Sequence, residues 1–104
     1  MGLFGKKESP TDEFLHLYVT LNQYRGWSHQ HVPPAFREGI TEAAMQQELR
    51  VWVSENSASL DYLDQFRRKV IAYQVSRSDL KRAIMQMREL IAQADERLQK
   101  KGRS

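Results

Sequence analysis

Leu63, Phe66, Val70, Tyr73, Arg77, Leu80, Ile84, Met87, Ile91, Ala94 and Leu98 succeed one another at alternating steps of three and four residues. A strand, which turns alternate side chains to opposite faces, cannot hold such a set on one side, whereas an α-helix lines it up as a seam. The spacing predicts a coiled-coil-like helix with Leu63 at heptad position a and Phe66 at d. Within the seam, Arg77 alone departs from the apolar rule.

The segment YQVSRSDLKR, residues 73–82, decides what the seam builds. Ser76 followed three residues later by Asp79 has the form of a capping box, and Val75, Ser76, Ser78 and Asp79 are poor helix formers, so a turn is one reading. Against it, the segment contains neither glycine nor proline, and the heptad phase crosses it unshifted. A hairpin loop has no reason to keep that phase. The phase therefore favours one helix from about Leu60 to Gln99, with a break near Ser76 into a helical hairpin as the alternative.

An unbroken helix of that span would be about 60 Å long. A chain of 104 residues cannot cover such a rod by itself. A second copy is expected to do so, giving a homodimer or higher oligomer whose interface is Leu63, Phe66, Val70, Tyr73, Leu80, Ile84, Met87, Ile91 and Leu98. Arg77 reads as a register-setting polar residue whose charged head reaches out of the seam.

Upstream, residues 1–10 read as a flexible tail ending where Ser9, Pro10 and Asp12 supply an N-cap, a first helical position and a carboxylate near the positive helix end. A helix is predicted from there to about Arg25, with Gly26 as its stop; Phe14, Leu15, Leu17, Tyr18, Leu21 and Tyr24 give it a broad apolar face. GWSHQHVPP, with its two prolines, is a loop. A second helix is expected to start near Thr41, with Met45, Leu49, Trp52 and Val53 at helical spacing, although LRVWVS alone would pass for a strand. SENSAS, residues 54–59, reads as a connection because its side chains compete for backbone groups. The expected fold is all-α. Two shorter helices pack beside a long C-terminal helix over residues 60–99, in a single domain of residues 11–100 followed by a basic tail at 101–104.

The net charge of +3 hides an uneven layout. Between Thr41 and Asp64 five acidic residues face one basic, a balance of −4, while Gln65–Ser104 carries eleven basic residues against four acidic, a balance of +7. In the heptad register Arg67, Arg68, Lys81, Arg82 and Arg88 fall at e and f and form a stripe, with Lys69 on the other flank. Two accounts of the stripe compete: pairing with the acidic segment of the same chain or its copy, or contact with a run of nucleic-acid phosphates. The first is favoured, because no helix-turn-helix, zinc-finger or ribonucleoprotein motif accompanies the charge.

Several classes fall away. The chain has no cysteine, which removes disulfides and thiolate chemistry and suits a reducing compartment. It has no apolar run of the roughly 18 residues a membrane span needs and no signal-peptide pattern, so a cytoplasmic protein is expected. MGLFGKK lacks the Ser or Thr that myristoylation requires at position 6. His29 and His31 form an H-x-H to which His16 could add a third ligand, but that spacing is more simply a pair of loop histidines, and no metal or cofactor is expected. No nucleophile elbow, phosphate loop or paired catalytic carboxylates are present, so no enzyme is expected. Tyr18, Tyr24, Trp27, Trp52, Tyr62 and Tyr73 read as core or interface aromatics. The leading expectation is a small adaptor or assembly module that self-associates through its seam and presents its N-terminal helices to an unknown protein partner. The alternative is a dimeric DNA- or RNA-binding accessory protein using the basic flank.

Overall fold

A computed structural model describes residues 9–103, in which four helices and no strand occur: α1 (Pro10–Trp27), α2 (Glu42–Glu55), α3 (Ser57–Ile71) and α4 (Arg77–Arg103), with a 3-10 turn at Pro34–Phe36. The reading of the tail at 1–8 lies outside the described residues.

Ser9 caps α1 by accepting the Asp12 N–H at 3.2 Å, and Pro10 occupies the first turn. Gly26 does not end the helix. It continues to Trp27, which is buried with Phe14 and Leu21, and burial of so large a ring outweighs the cost of about 1 kcal/mol for a helical glycine. Ser28 closes the end, its hydroxyl donating to the Arg25 carbonyl at 2.5 Å. The loop that follows drops Val32 and Ile40 into the core. Thr41 then caps α2 by accepting the Ala44 N–H at 3.1 Å.

SENSAS is not a loop either. Only Asn56 separates α2 from α3, and its side-chain amide donates to the Trp52 carbonyl at 2.9 Å. Trp52 and Leu60 are both 1% exposed, so the helices on either side of Asn56 are drawn onto one core and the serines are carried along in helical geometry.

The long helix is broken, contrary to the heptad phase. Ala72–Ser76 leave the helix, and Tyr73 stands in the left-handed region with φ 57°. The Tyr73 N–H donates to the Val70 carbonyl at 3.1 Å and the Gln74 N–H to the Lys69 carbonyl at 2.8 Å, the paired bonds of a Schellman motif built on a non-glycine residue. Ser76 then caps α4 by accepting the Asp79 N–H at 3.1 Å. The capping-box signal is therefore the informative one. The seam positions on either side of the cap, Tyr73 and Arg77, contribute nothing apolar to the core, since Tyr73 is 88% exposed and Arg77 is an exposed cation.

Folding back lets one chain cover its own seam. Glu13 meets Arg88 and Tyr24 meets Asp95, so α1 and α4 run in the same direction, while Glu48 facing Lys101 and Trp52 facing Leu90 set α2 opposite to them. Leu80, Ala83, Ile84, Met87, Leu90 and Ala94 of α4 are buried between these helices. From α3, Leu60, Leu63, Phe66 and Val70 join the same core, Phe66 against Phe14 with ring centroids 5.6 Å apart. The buried Trp52 indole N–H donates to the Leu90 carbonyl at 2.9 Å and pins α2 to the middle of α4. At its far end α4 runs on to Arg103, past the Gln99 boundary read from the sequence.

The turn yields a prediction whose sign separates a hairpin from a rod. Tyr73→Gly should raise stability by about 1 kcal/mol by removing the left-handed penalty, whereas the same change inside a continuous helix would lower it by about that much. Ser76→Ala should cost about 1 kcal/mol through loss of the cap. Urea denaturation of the two variants measures both.

Candidate polyanion-binding hairpin and aromatic cleft

The turn brings the end of α3 and the start of α4 together, and with them six basic residues, Arg67, Arg68, Lys69, Arg77, Lys81 and Arg82, against the single acid Asp79. The hairpin from 67 to 82 thus holds a formal charge of +5. The stripe expected along one helix is instead a cluster at one end of the molecule.

Its members are not equivalent. Arg67 lies over the Tyr18 ring, 5.3 Å from the centroid, and Arg68 is close enough to Asp64 to help hold that carboxyl down. Arg82 pairs with Asp79 at 3.3 Å on the surface, and Arg88 is engaged by Glu13 of α1, away from the tip. Lys69, Arg77 and Lys81 are exposed and form no ion pair among the described residues.

Within the chain, the ion pairs of the acidic segment are made with other cations, apart from the pull of Arg68 on Asp64. Glu42 meets His31 at 2.7 Å, Glu48 meets Arg97 at 3.6 Å and Lys101 at 3.9 Å, Glu55 meets Arg97 at 3.7 Å, and Asp64 meets Arg25 at 2.6 Å. The partners come from α1, the loop and the far end of α4. Sequence separation conceals these pairs because the helices that carry them are brought together only by the core.

Asp64 is the best-built polar centre. Arg25 donates to both of its oxygens, at 3.0 and 2.6 Å, and the Tyr18 hydroxyl donates to one of them at 2.6 Å. The Arg25 guanidinium, followed by the Tyr18 hydroxyl, holds the Asp64 carboxyl below the usual carboxylate range, and Asp64 in turn raises Arg25. This knot fastens α3 across α1 and so fixes the base of the basic hairpin.

Of the residues assigned to an oligomer interface, Leu63, Phe66, Val70, Leu80, Ile84 and Met87 are buried in the chain's own core, Ile91 and Leu98 are partly buried against it, and Tyr73 projects from the turn. His29 is exposed, and His31 directs Nδ1 to Glu42, whose carboxyl is lowered chiefly by accepting the Val32 N–H. Among the described residues no three side chains are grouped as metal ligands.

At the other end of α4 a cleft of about 540 Å³ opens between α1, the 34–40 loop and the last turns of α4. Tyr24, Trp27 and Phe36 line it, with Trp27 between the other two at centroid distances of 5.8 and 5.1 Å. The Tyr24 hydroxyl donates to Asp95 Oδ1. Burial first, and the Asp95 carboxylate second, raise the Tyr24 phenol far above its ordinary value, so it stays protonated. Glu38 stands on the rim with a left-handed backbone, φ 47°, followed by Gly39 at φ 87°. The sequence pattern flagged Tyr24 and Trp27 but not Phe36, Glu38 or Asp95. Seventy-one residues separate Tyr24 from Asp95, and no local periodicity joins them.

No known protein family, curated protein or solved structure matches this chain.

The Asp64 knot predicts a pH-dependent stability. A carboxyl whose folded pKa is depressed contributes stability that is present above the unfolded value of about 4 and is lost as pH falls through the lower folded value. Asp64→Asn should therefore cost about 1 kcal/mol at neutral pH, discounted for partial exposure, and the gap to the parent protein should close on acidification through that window. Denaturant titrations of both proteins over an acidic pH series measure it.

Proposed function

We propose that this protein is a non-enzymatic helical binding module that docks its α3–α4 hairpin on the phosphate backbone of a nucleic-acid duplex. One observation carries the reading: Asp64, Glu48 and Glu55 of the acidic segment are met by Arg25, Arg97 and Lys101, while Lys69, Arg77 and Lys81 of the hairpin form no ion pair among the described residues.

Two physical arguments support it. Arg77, Lys81 and Arg82 crowd the N-terminal turns of α4, where the helix dipole is already positive, and Asp79 offsets this only in part. Holding cations there costs stability, and an anion would relieve both terms at once. Phosphates spaced along a duplex answer such a cluster better than a lone carboxylate, because each neutralised phosphate also releases condensed counterions. At the tip, Ile71 is 51% exposed and Tyr73 88%, so the ring of Tyr73 is presented beside the charges rather than packed inside. Contacts of this kind position a protein on nucleic acid without reading bases, so binding is expected to be independent of sequence. The seam is engaged within one chain, and the proposal for a partner rests on the hairpin instead.

Fluorescence anisotropy with labelled duplexes of unrelated sequence tests this. The parent protein should bind them with similar affinity and a steep salt dependence. Lys69→Gln, Arg77→Gln and Lys81→Gln together should weaken binding to all of them and flatten the slope of log affinity against log salt by about 0.9 for each phosphate no longer neutralised. These side chains are solvated, so the helical circular dichroism should be unchanged. Failure of the parent to bind any duplex, or an unaltered slope in the triple variant, would sink the proposal.

A further inference from the structure

The hairpin reading leaves the cleft at the opposite end of α4 unexplained, and the two are separated along the helix by about 20 Å between Lys81 and Asp95. We infer that this cleft is a binding site for an alkylated ammonium cation, held against its aromatic wall of Tyr24, Trp27 and Phe36 with Asp95 and Glu38 supplying the counter-charge.

Each wall contributes to that chemistry. An aromatic face carries partial negative charge and attracts a cation, and alkyl groups on nitrogen weaken its hydration, so an alkylated ammonium gives up little water on entering. Three aromatic side chains line one cleft, and Phe36, 52% exposed, stands at its mouth. An apolar ring left at a rim while its neighbour Trp27 is 9% exposed is placed as a wall rather than as core. Two carboxylates share the lining with one guanidinium, that of Arg37. Arg37 donates its Nε–H to the Val32 carbonyl at 3.1 Å, and its charge falls on Glu42 as well. The negative excess in the cleft is thus not cancelled from within.

The Tyr24 hydroxyl donates to Asp95 and so fixes the orientation of both the ring and the carboxylate. Glu38 is held on the rim by a backbone that few non-glycine residues adopt, at φ 47°. The end of α4 closes over the same loop, where a Cβ built on Gly102 would stand 3.6 Å from the Glu38 carbonyl oxygen. A volume of about 540 Å³ admits a trimethylammonium head together with the chain that bears it.

Such a cation could arrive as a free quaternary amine or as a methylated lysine side chain of another protein, and the two share the recognised chemistry. The test follows the Trp27 indole N–H in NMR spectra of the full-length protein during titration with choline, with 3,3-dimethylbutanol as its uncharged isostere, and with a short peptide carrying trimethyllysine. Choline, the peptide or both should move the Trp27 resonance saturably, while the uncharged isostere should not. Binding of choline alone assigns a small-molecule source, and tighter binding of the peptide assigns a protein source. Phe36→Ala, which removes a half-exposed wall, should weaken the bound cation about threefold to tenfold. Asp95→Asn, which keeps an acceptor for Tyr24, should weaken it comparably. Equal binding of the isostere, no saturable shift with either cation, or unchanged affinity in both variants would overturn the inference. None of these outcomes depends on whether the hairpin binds nucleic acid.

Discussion

The left-handed turn at Tyr73 governs this structure. Without it, α3 and α4 would continue as one rod of about 60 Å, and the apolar seam would need another chain to cover it. With it, the seam is divided. Val70 and Leu80, on opposite sides of the turn, enter the same core as Phe14, Leu21 and Trp52. The device is inexpensive. A non-glycine residue in the left-handed region costs about 1–2 kcal/mol, and two backbone bonds of the Schellman motif and the Ser76 cap satisfy the groups exposed by the break.

Helix existence was legible from pattern, and helix continuity was not. Ser9 with Pro10 and Thr41 mark their helices as caps because capping chemistry is local and a side chain must sit next to the N–H it accepts. Gly26, SENSAS and the 73–82 segment misled for a shared reason: in each, long-range burial of Trp27, of Trp52 with Leu60, or of Val70 with Leu80 decided against a local or periodic signal. Periodicity is silent on a turn whose intervening residues preserve the phase. Tyr73 and Arg77 kept the count of the heptad while contributing no buried surface, so the seam looked unbroken on paper. The basic residues of the hairpin were legible one by one. Their grouping at one end was not, because it follows from the fold-back. The cleft was less legible still, since Tyr24, Phe36 and Asp95 come from three separate elements.

Charge and topology also explain each other. The acidic residues between Thr41 and Asp64 lie on α2 and early α3, and the helices packed against them supply Arg25, Arg97 and Lys101. Each such pair is individually weak where it is exposed. Their placement matters more than their strength, for they engage Glu48, Glu55 and Asp64 at the sides of the bundle rather than at the hairpin tip. The Asp64 knot is the exception in quality, with two bonds from Arg25 and one from Tyr18, and it braces the helix on which Arg67, Arg68 and Lys69 are mounted.

The two candidate sites occupy opposite ends of α4, and what joins them is a rigid element held at its middle. Leu90 sits between them, its carbonyl accepting the Trp52 indole N–H in a buried environment, while Met87 and Ala94 are fully enclosed on either side. A helix pinned in this way does not slide against α2 without breaking a buried hydrogen bond, which costs about 1–3 kcal/mol. The turn around Tyr73, by contrast, is exposed and has little packing to lose.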